Sequence, residues 1–180
     1  MPLAADRAHD VADGLFARHA TVFGDDLDRY RGHVHRVIGL VALQAPLEGT
    51  TADAVGVAGF FHDAGLWFDG GTWDYLPPSI RHARAELGGA DDHGPLVAAM
   101  IDEHHRVRHA HHPDPLVEAF RRADLTDVTG GLVGAPGVPR AAYRALTARH
   151  PATGFRPMLL RAFRRGLRED PRRPLPMLRL

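Results

Sequence analysis

The run Ala54-Val55-Gly56-Val57-Ala58-Gly59-Phe60-Phe61 has no polar side. A helix made from it exposes nothing that water solvates well, so other helices must enclose it and the rest of the chain must supply them. Thr50 or Thr51 is placed to cap its start. Elsewhere the apolar spacing is helical, broken by turn residues at Gly24-Asp25-Asp26, Glu48-Gly49-Thr50, Gly70-Gly71, Pro77-Pro78, Gly88-Gly89, His112-Pro113, Gly130-Gly131 and Pro151. The pattern predicts a compact all-α helical bundle. At 180 residues, with no internal repeat and no Ser- or Pro-rich linker, residues 1–180 read as one domain.

Several ionisable residues fall on stretches that this packing buries. Val55, Ala58, Gly59 and His62 share a face, so His62 inherits the burial of that stripe and Asp63 reaches the same space at the helix end. A helix over about Leu27 to Ala45 carries Tyr30, Val34, Val37, Ile38 and Val41 at three- and four-residue steps, with His33 and His35 on opposite shoulders; spacing alone does not choose between them. A helix over about Pro95 to Arg106 puts His104 on the stripe Val97, Met100 and Ile101, with His105 less inward. Asp124 follows Val117 and Phe120 in the same way. Burying such groups is costly unless they are paired or bound to a metal, and one shared cation is the simplest common explanation.

Two absences narrow the chemistry. There is no cysteine, which removes disulfides, thiolate nucleophiles and sulfur-ligated metals and leaves nitrogen and oxygen donors. There is also no lysine, so neither a Walker-type phosphate loop nor a Schiff base can be built. The 22 basic residues balance the 22 acidic ones, which favours neither nucleic acid nor a membrane surface as partner. No stretch approaches the roughly 18 apolar residues of a membrane span, and Met1 to Asp10 lacks a signal-peptide pattern, so the expected compartment is the cytoplasm.

A His-Asp dipeptide alone carries little, since His9-Asp10 is another. The order is more specific: His33 in His33-Val34-His35-Arg36-Val37, His62-Asp63 after an apolar helix, then Asp124 in Arg122-Ala123-Asp124-Leu125. This arrangement resembles the HD-domain metal-dependent phosphohydrolase superfamily over about residues 28–128. The segments Met100-Ile101-Asp102-Glu103-His104-His105 and Asp74-Tyr75-Leu76-Pro77-Pro78-Ser79 are similar to segments of its small bacterial members. The resemblance implies an HD-type bundle with a buried metal site, C-terminal helices over 138–168 and a tail over 171–180. It favours His33 over His35 and implies His33, His62, Asp63 and Asp124 as ligands. Nucleotidase-type relatives carry a glutamate where this chain has Leu66, which puts their acid–base arrangement in doubt here.

The implied cofactor is a divalent transition metal (Mn, Co, Ni, Zn or Fe), one ion in preference to two; a second would draw on His82 and His104. The implied reaction is hydrolysis of a nucleotide or other small phosphate ester by a metal-activated water. Asp63 would orient the water, His104 would donate to a phosphate or leaving-group oxygen, and Arg36, Arg81 or Arg106 would clamp phosphate. A di-iron oxygenase, a metal-dependent hydratase and a non-catalytic ligand-binding module are the alternatives on the same scaffold.

The remaining features read more plainly. His105, His109 and His112 are expected as a solvated, pH-sensitive surface. Trp67, Phe68, Trp73 and Tyr75 either form a lid over a substrate or cap the core. The last helix is expected to turn Phe155, Met158, Leu159, Ala162, Phe163 and Leu167 inward. Arg156, Arg161, Arg164, Arg165 and Arg168 then form its solvated face.

Overall fold

The computed structural model describes residues 4–88, 92–152, 154–173 and 175–178. It contains eight α-helices and no strand among the described residues: α1 Ala4–Phe23, α2 Leu27–Ala42, α3 Gly49–Phe61, α4 Leu76–Leu87, α5 Gly94–Glu103, α6 Pro115–Val128, α7 Arg140–Arg149 and α8 Phe155–Glu169. Short 3-10 turns occupy Gly24–Asp26, Ala64–Leu66 and Phe68–Gly70. The chain is an all-α bundle, and among the described residues no helix is long and apolar enough to cross a membrane.

Helix α3 is the axis of the packing. Every residue from Ala54 to Phe61 is buried, enclosed by α1, α2, α4 and α5. Its glycines set how near the neighbours come. A Cβ at Gly56 would meet the Ala8 carbonyl oxygen at 2.6 Å, so α1 lies almost backbone to backbone on α3 through Ala8, Ala12, Leu15 and Phe16. Burial of each large side chain here contributes roughly 1.5–3 kcal/mol, which is why α3 holds its course despite Gly56 and Gly59 in its interior.

The start of α3 corrects the expected cap. Glu48 is the capping residue and Thr51 lies three positions inside, its hydroxyl accepting the Glu48 backbone N–H at 3.0 Å. Helix α2 follows the expected stripe, with Tyr30, Val34, Val37, Ile38 and Val41 fully buried, but stops at Ala42 rather than Ala45. Gln44 bonds back to Val41 and its side chain donates to the Leu40 carbonyl at 2.9 Å, closing the helix before Pro46.

The aromatic stretch after the dipeptide caps the core. Trp67 packs on Tyr30 and Phe23, and Phe68 on Phe61. Trp73 lies against α8, where a Cβ at Gly166 would come within 2.2 Å of its indole. On α8, Phe155 and Met158 are buried and Leu159 and Phe163 half-buried, whereas Leu167, expected inside, is exposed. Arg161, Arg164, Arg165 and Arg168 face outward. The side chains of Arg156 and Ala162, the turn residue Gly89, and tail positions 174, 179 and 180 lie outside the described residues. The described tail is not all peripheral, since Met177 is buried against the core.

Candidate metal centre

Helices α2 and α6 bring their ionisable residues together by a shared three-residue step. His33 and Arg36 on α2 face Asp124 and Asp127 on α6, and the end of α3 delivers His62 and Asp63 between them. His33 Nε2 lies 2.9 Å from His62 Nε2, 3.3 Å from Asp124 Oδ1 and 3.8 Å from Asp63 Oδ2. His62 Nε2 lies 3.5 Å from Asp63 Oδ2 and 3.8 Å from Asp124 Oδ1. Of the four residues expected as ligands, His33, His62 and Asp63 each offer a ligand atom within 4.8 Å of the others, a group that could hold one ion, while Asp124 lies beside the two imidazoles without joining that group. All four are at most 3% exposed.

Each imidazole is oriented from behind. His33 Nδ1 donates to Asp127 Oδ2, His62 Nδ1 to the Gly59 carbonyl and His104 Nδ1 to the Ile101 carbonyl, all at 2.7 Å. Committing Nδ1 in this way turns Nε2 of each ring into the shared space, as is usual for histidines that bind metal. Asp63 Oδ1, Asp124 Oδ1 and His104 Nε2 are buried there without a well-formed hydrogen bond among the described residues. Buried polar atoms are rarely left so, and a cation bound here would supply what these oxygens lack. The donor set of imidazole and carboxylate suits a divalent transition metal.

Asp63 also faces a second group. Its Oδ1 lies 3.3 Å from His104 Nε2 and 3.9 Å from His105 Nε2, and Asp63, His104 and His105 offer ligand atoms close enough to share an ion. The carboxylate therefore divides its two oxygens between the His33/His62 side and the His104/His105 side. Its position is fixed by Tyr30, whose hydroxyl accepts the Asp63 N–H at 3.3 Å and donates to the Phe60 carbonyl at 2.7 Å.

The electrostatics follow from this crowding. Burial works against the charged form of His33, but Asp124 and Asp127 outweigh it and lift its pKa to about 9. His62 is pulled down to about 4, first by burial and then by His104 and His33. A single proton between the two Nε2 atoms accordingly belongs to His33. Burial opposes ionisation of Asp63 and Asp124, yet the surrounding imidazoles hold both below the usual carboxylate range. His104 is raised, burial being outweighed by Asp63.

Other expected residues lie elsewhere. His82 bonds Asp69 at 2.9 Å beside Phe68 and belongs to neither group, because the exposed Asp69 carboxylate captures it on the outer side of α4. His35 turns from the centre to Asp13 (2.8 Å) and His9 (2.7 Å) and stacks on His150. Arg36 is wholly buried and spent on Asp127 (2.6 and 2.9 Å) and on the carbonyls of His150 and Pro151. Arg81 pairs with Asp69, and Arg106 pairs with Glu103 at 2.7 Å. None of the three arginines expected at a phosphate is held for that task.

Four contributors were not expected. Asp127 carried a readable signal, lying one helical turn beyond Asp124. His105 did not: α5 ends at Glu103 rather than Arg106, so His104 and His105 sit in a turn with ring centroids 4.0 Å apart, and the His105 hydroxyl partner is Tyr75. His109 and His112 are exposed, as expected. Tyr30 read as core, and Phe155, stacked on His33 at 4.0 Å with 16° between the planes, comes from a distant helix. Compared with protein-family models, curated proteins and solved structures, the chain matches none.

Proposed function

We propose that this protein is a metal-dependent hydrolase of small phosphate esters, of the kind implied by its resemblance to the HD-domain superfamily. The observation that carries the reading is that three imidazoles, each oriented through its Nδ1, turn Nε2 towards the buried Asp63 carboxylate, with Asp124 Oδ1 beside His33 and His62. His33, His62, Asp63 and Asp124 would hold a divalent transition metal, which when bound polarises a phosphoryl oxygen and brings the pKa of a water towards neutrality. Asp63 Oδ1, which has no hydrogen-bond partner among the described residues, would orient that water. His104 keeps its Nδ1 proton on Ile101, and its raised pKa lets Nε2 donate to a phosphate or leaving-group oxygen. Phe155 and Tyr30 exclude bulk water from the imidazoles, which strengthens each of these interactions.

Elemental analysis of purified protein, followed by a screen of phosphate monoesters and diesters, tests the reading. His62→Ala and Asp63→Ala should each lose metal and turnover while retaining helical content. Full activity in either variant would end it. The division of Asp63 between two groups favours a second reading, a di-iron oxygenase, which two irons per chain and no ester hydrolysis would support.

A further inference from the structure

The charges of this chain cancel in sum but not in place. Residues 155–180 hold 8 arginines against 2 acidic residues, whereas residues 1–154 hold 14 against 20, so a positive excess of 6 lies on α8 and the segment after it. A neutral total hides a strongly basic surface.

Helix α8 has already used its inner face. Phe155 and Met158 are buried, and Leu159 and Phe163 half-buried, against the rest of the protein. On the outer face Leu160, Arg164 and Leu167 follow one another at steps of four and three residues, with Arg161 and Arg168 beside them, all exposed. Leu160 and Leu167 are 48% and 43% exposed, so packing within the fold does not account for them. Beyond the helix, the backbone N–H groups of Arg172 and Arg173 donate to Asp170 Oδ1 at 3.1 and 3.2 Å, and buried Met177 pins the segment to the core. Arg172, Arg173, Leu175 and Leu178 are left outside. The side chains of Arg164, Arg168, Arg172 and Arg173 make no ion pair or hydrogen bond among the described residues. These cations neutralise nothing in the fold.

Two kinds of group together narrow the partner. Guanidinium groups alone suit any polyanion, and a single-stranded nucleic acid would also stack its bases on aromatic side chains, but both aromatics of α8 turn inward. Leucines exposed among arginines match an interface in which anionic headgroups lie over acyl chains: the leucines enter shallowly and the arginine stems reach back to the headgroups. We propose that the outer face of α8, with Arg172 and Arg173 beyond it, docks on an anionic lipid surface. The contact is peripheral, since no described helix is long and apolar enough to cross a membrane. It uses no residue of the metal centre and stands apart from the hydrolase reading.

The test is cosedimentation of the full chain with vesicles of phosphatidylcholine alone and of phosphatidylcholine mixed with phosphatidylserine, at low and physiological salt. Binding is expected to the mixed vesicles only, and to weaken as salt rises. Arg164→Gln with Arg168→Gln should lower the partition coefficient about tenfold or more. Arg140→Gln with Arg144→Gln removes the same charge from exposed positions on α7 and should lower it less than about threefold. Leu160→Ser with Leu167→Ser keeps every charge and should lower it at least about fivefold. Arg168→Gln alone serves if the first pair does not fold, with a smaller loss in the same direction. No binding to the mixed vesicles, equal binding to phosphatidylcholine alone, or equal loss in the α7 pair would overturn the proposal. So would a leucine pair that binds vesicles as the unmodified chain does while a single-stranded oligonucleotide competes for the same arginines, an outcome that assigns the face to nucleic acid.

Discussion

Asp127 holds His33 from behind, its Oδ2 accepting the Nδ1 proton at 2.7 Å while Arg36 clamps both carboxylate oxygens. Arg36 is anchored in turn by the carbonyls of His150 and Pro151, so the segment after α7 sets the position of the first expected ligand. Asp127→Asn keeps the shape but removes the charge. It should weaken metal affinity by about 10–100-fold, as loss of an orienting carboxylate does. It also leaves a buried guanidinium unbalanced, which costs about 3–5 kcal/mol. Competition with a chromogenic chelator reads the first effect and urea unfolding the second. Unchanged affinity would mean that the pair serves the fold alone.

Loading the protein with a divalent transition metal should raise its melting temperature. Asp63 Oδ1 and Asp124 Oδ1 are buried without good donors, and an ion that binds only the folded chain stabilises it by about 2.7 kcal/mol at a hundred times its dissociation constant. For a chain of this size that is roughly 5 °C or more. Melting curves with EDTA and after addition of Mn, Co, Ni, Zn or Fe(II) check it. The response should vanish in His62→Ala.

Much of this centre was legible along the chain, and the failures have a common cause. The apolar run of α3 dictated its enclosure, and the burial of His62, Asp63, His104 and Asp124 followed from the stripes that carry them. Spacing reports burial and not partners. His33 and His35 are both buried, one turned to α6 and the other to His9 and His150, and local periodicity is the same for either. Arg36 was expected at a phosphate because its charge suggested it, while its partner Asp127 lies 91 positions away. His105 was misplaced because a helix was carried past its true end, which moves each residue by about 100° per step.

Acid should loosen the segment between His104 and α6 through Glu118. This carboxylate accepts the Ala110 N–H at 2.8 Å and bonds Arg121 (2.7 and 2.8 Å) and Arg122 (2.5 Å), while Arg121 also donates to the Arg106 carbonyl. Burial works against its ionised form, but these donors outweigh it and hold its pKa at about 2. A carboxyl whose folded pKa is depressed stabilises the protein above its unfolded value, about 4.3, and loses that contribution as pH falls through the folded value. The stability gap between the unmodified chain and Glu118→Gln should therefore be full at pH 6, shrink from about pH 4.5 downward and approach zero near pH 2. Urea unfolding across that range measures it. A gap that does not change with pH would assign the effect to packing.

Gly65 sits two residues after Asp63, where the chain turns towards the aromatic stretch. A Cβ there would lie 2.3 Å from the Tyr75 carbonyl oxygen and 2.9 Å from Ser79 Oγ, and the Gly65 N–H donates to that hydroxyl at 3.0 Å. The first contact is with backbone, which cannot turn aside as a flexible side chain would. Gly65→Ala must therefore push the Asp63 turn away from α4, at a cost of about 1–3 kcal/mol. Tyr75 also holds His105, so the displacement reaches the second ligand group through Asp63 and His105 together. Denaturant unfolding should show the loss of stability, and metal titration a weaker affinity than in the unmodified chain. Gly88→Ala is the control: it lies at a helix end with nothing within 4 Å of its Cβ, and its positive φ of 75° gives a destabilisation through backbone strain alone. It should lose stability without losing metal, so the pair separates crowding at the centre from a general weakening of the fold.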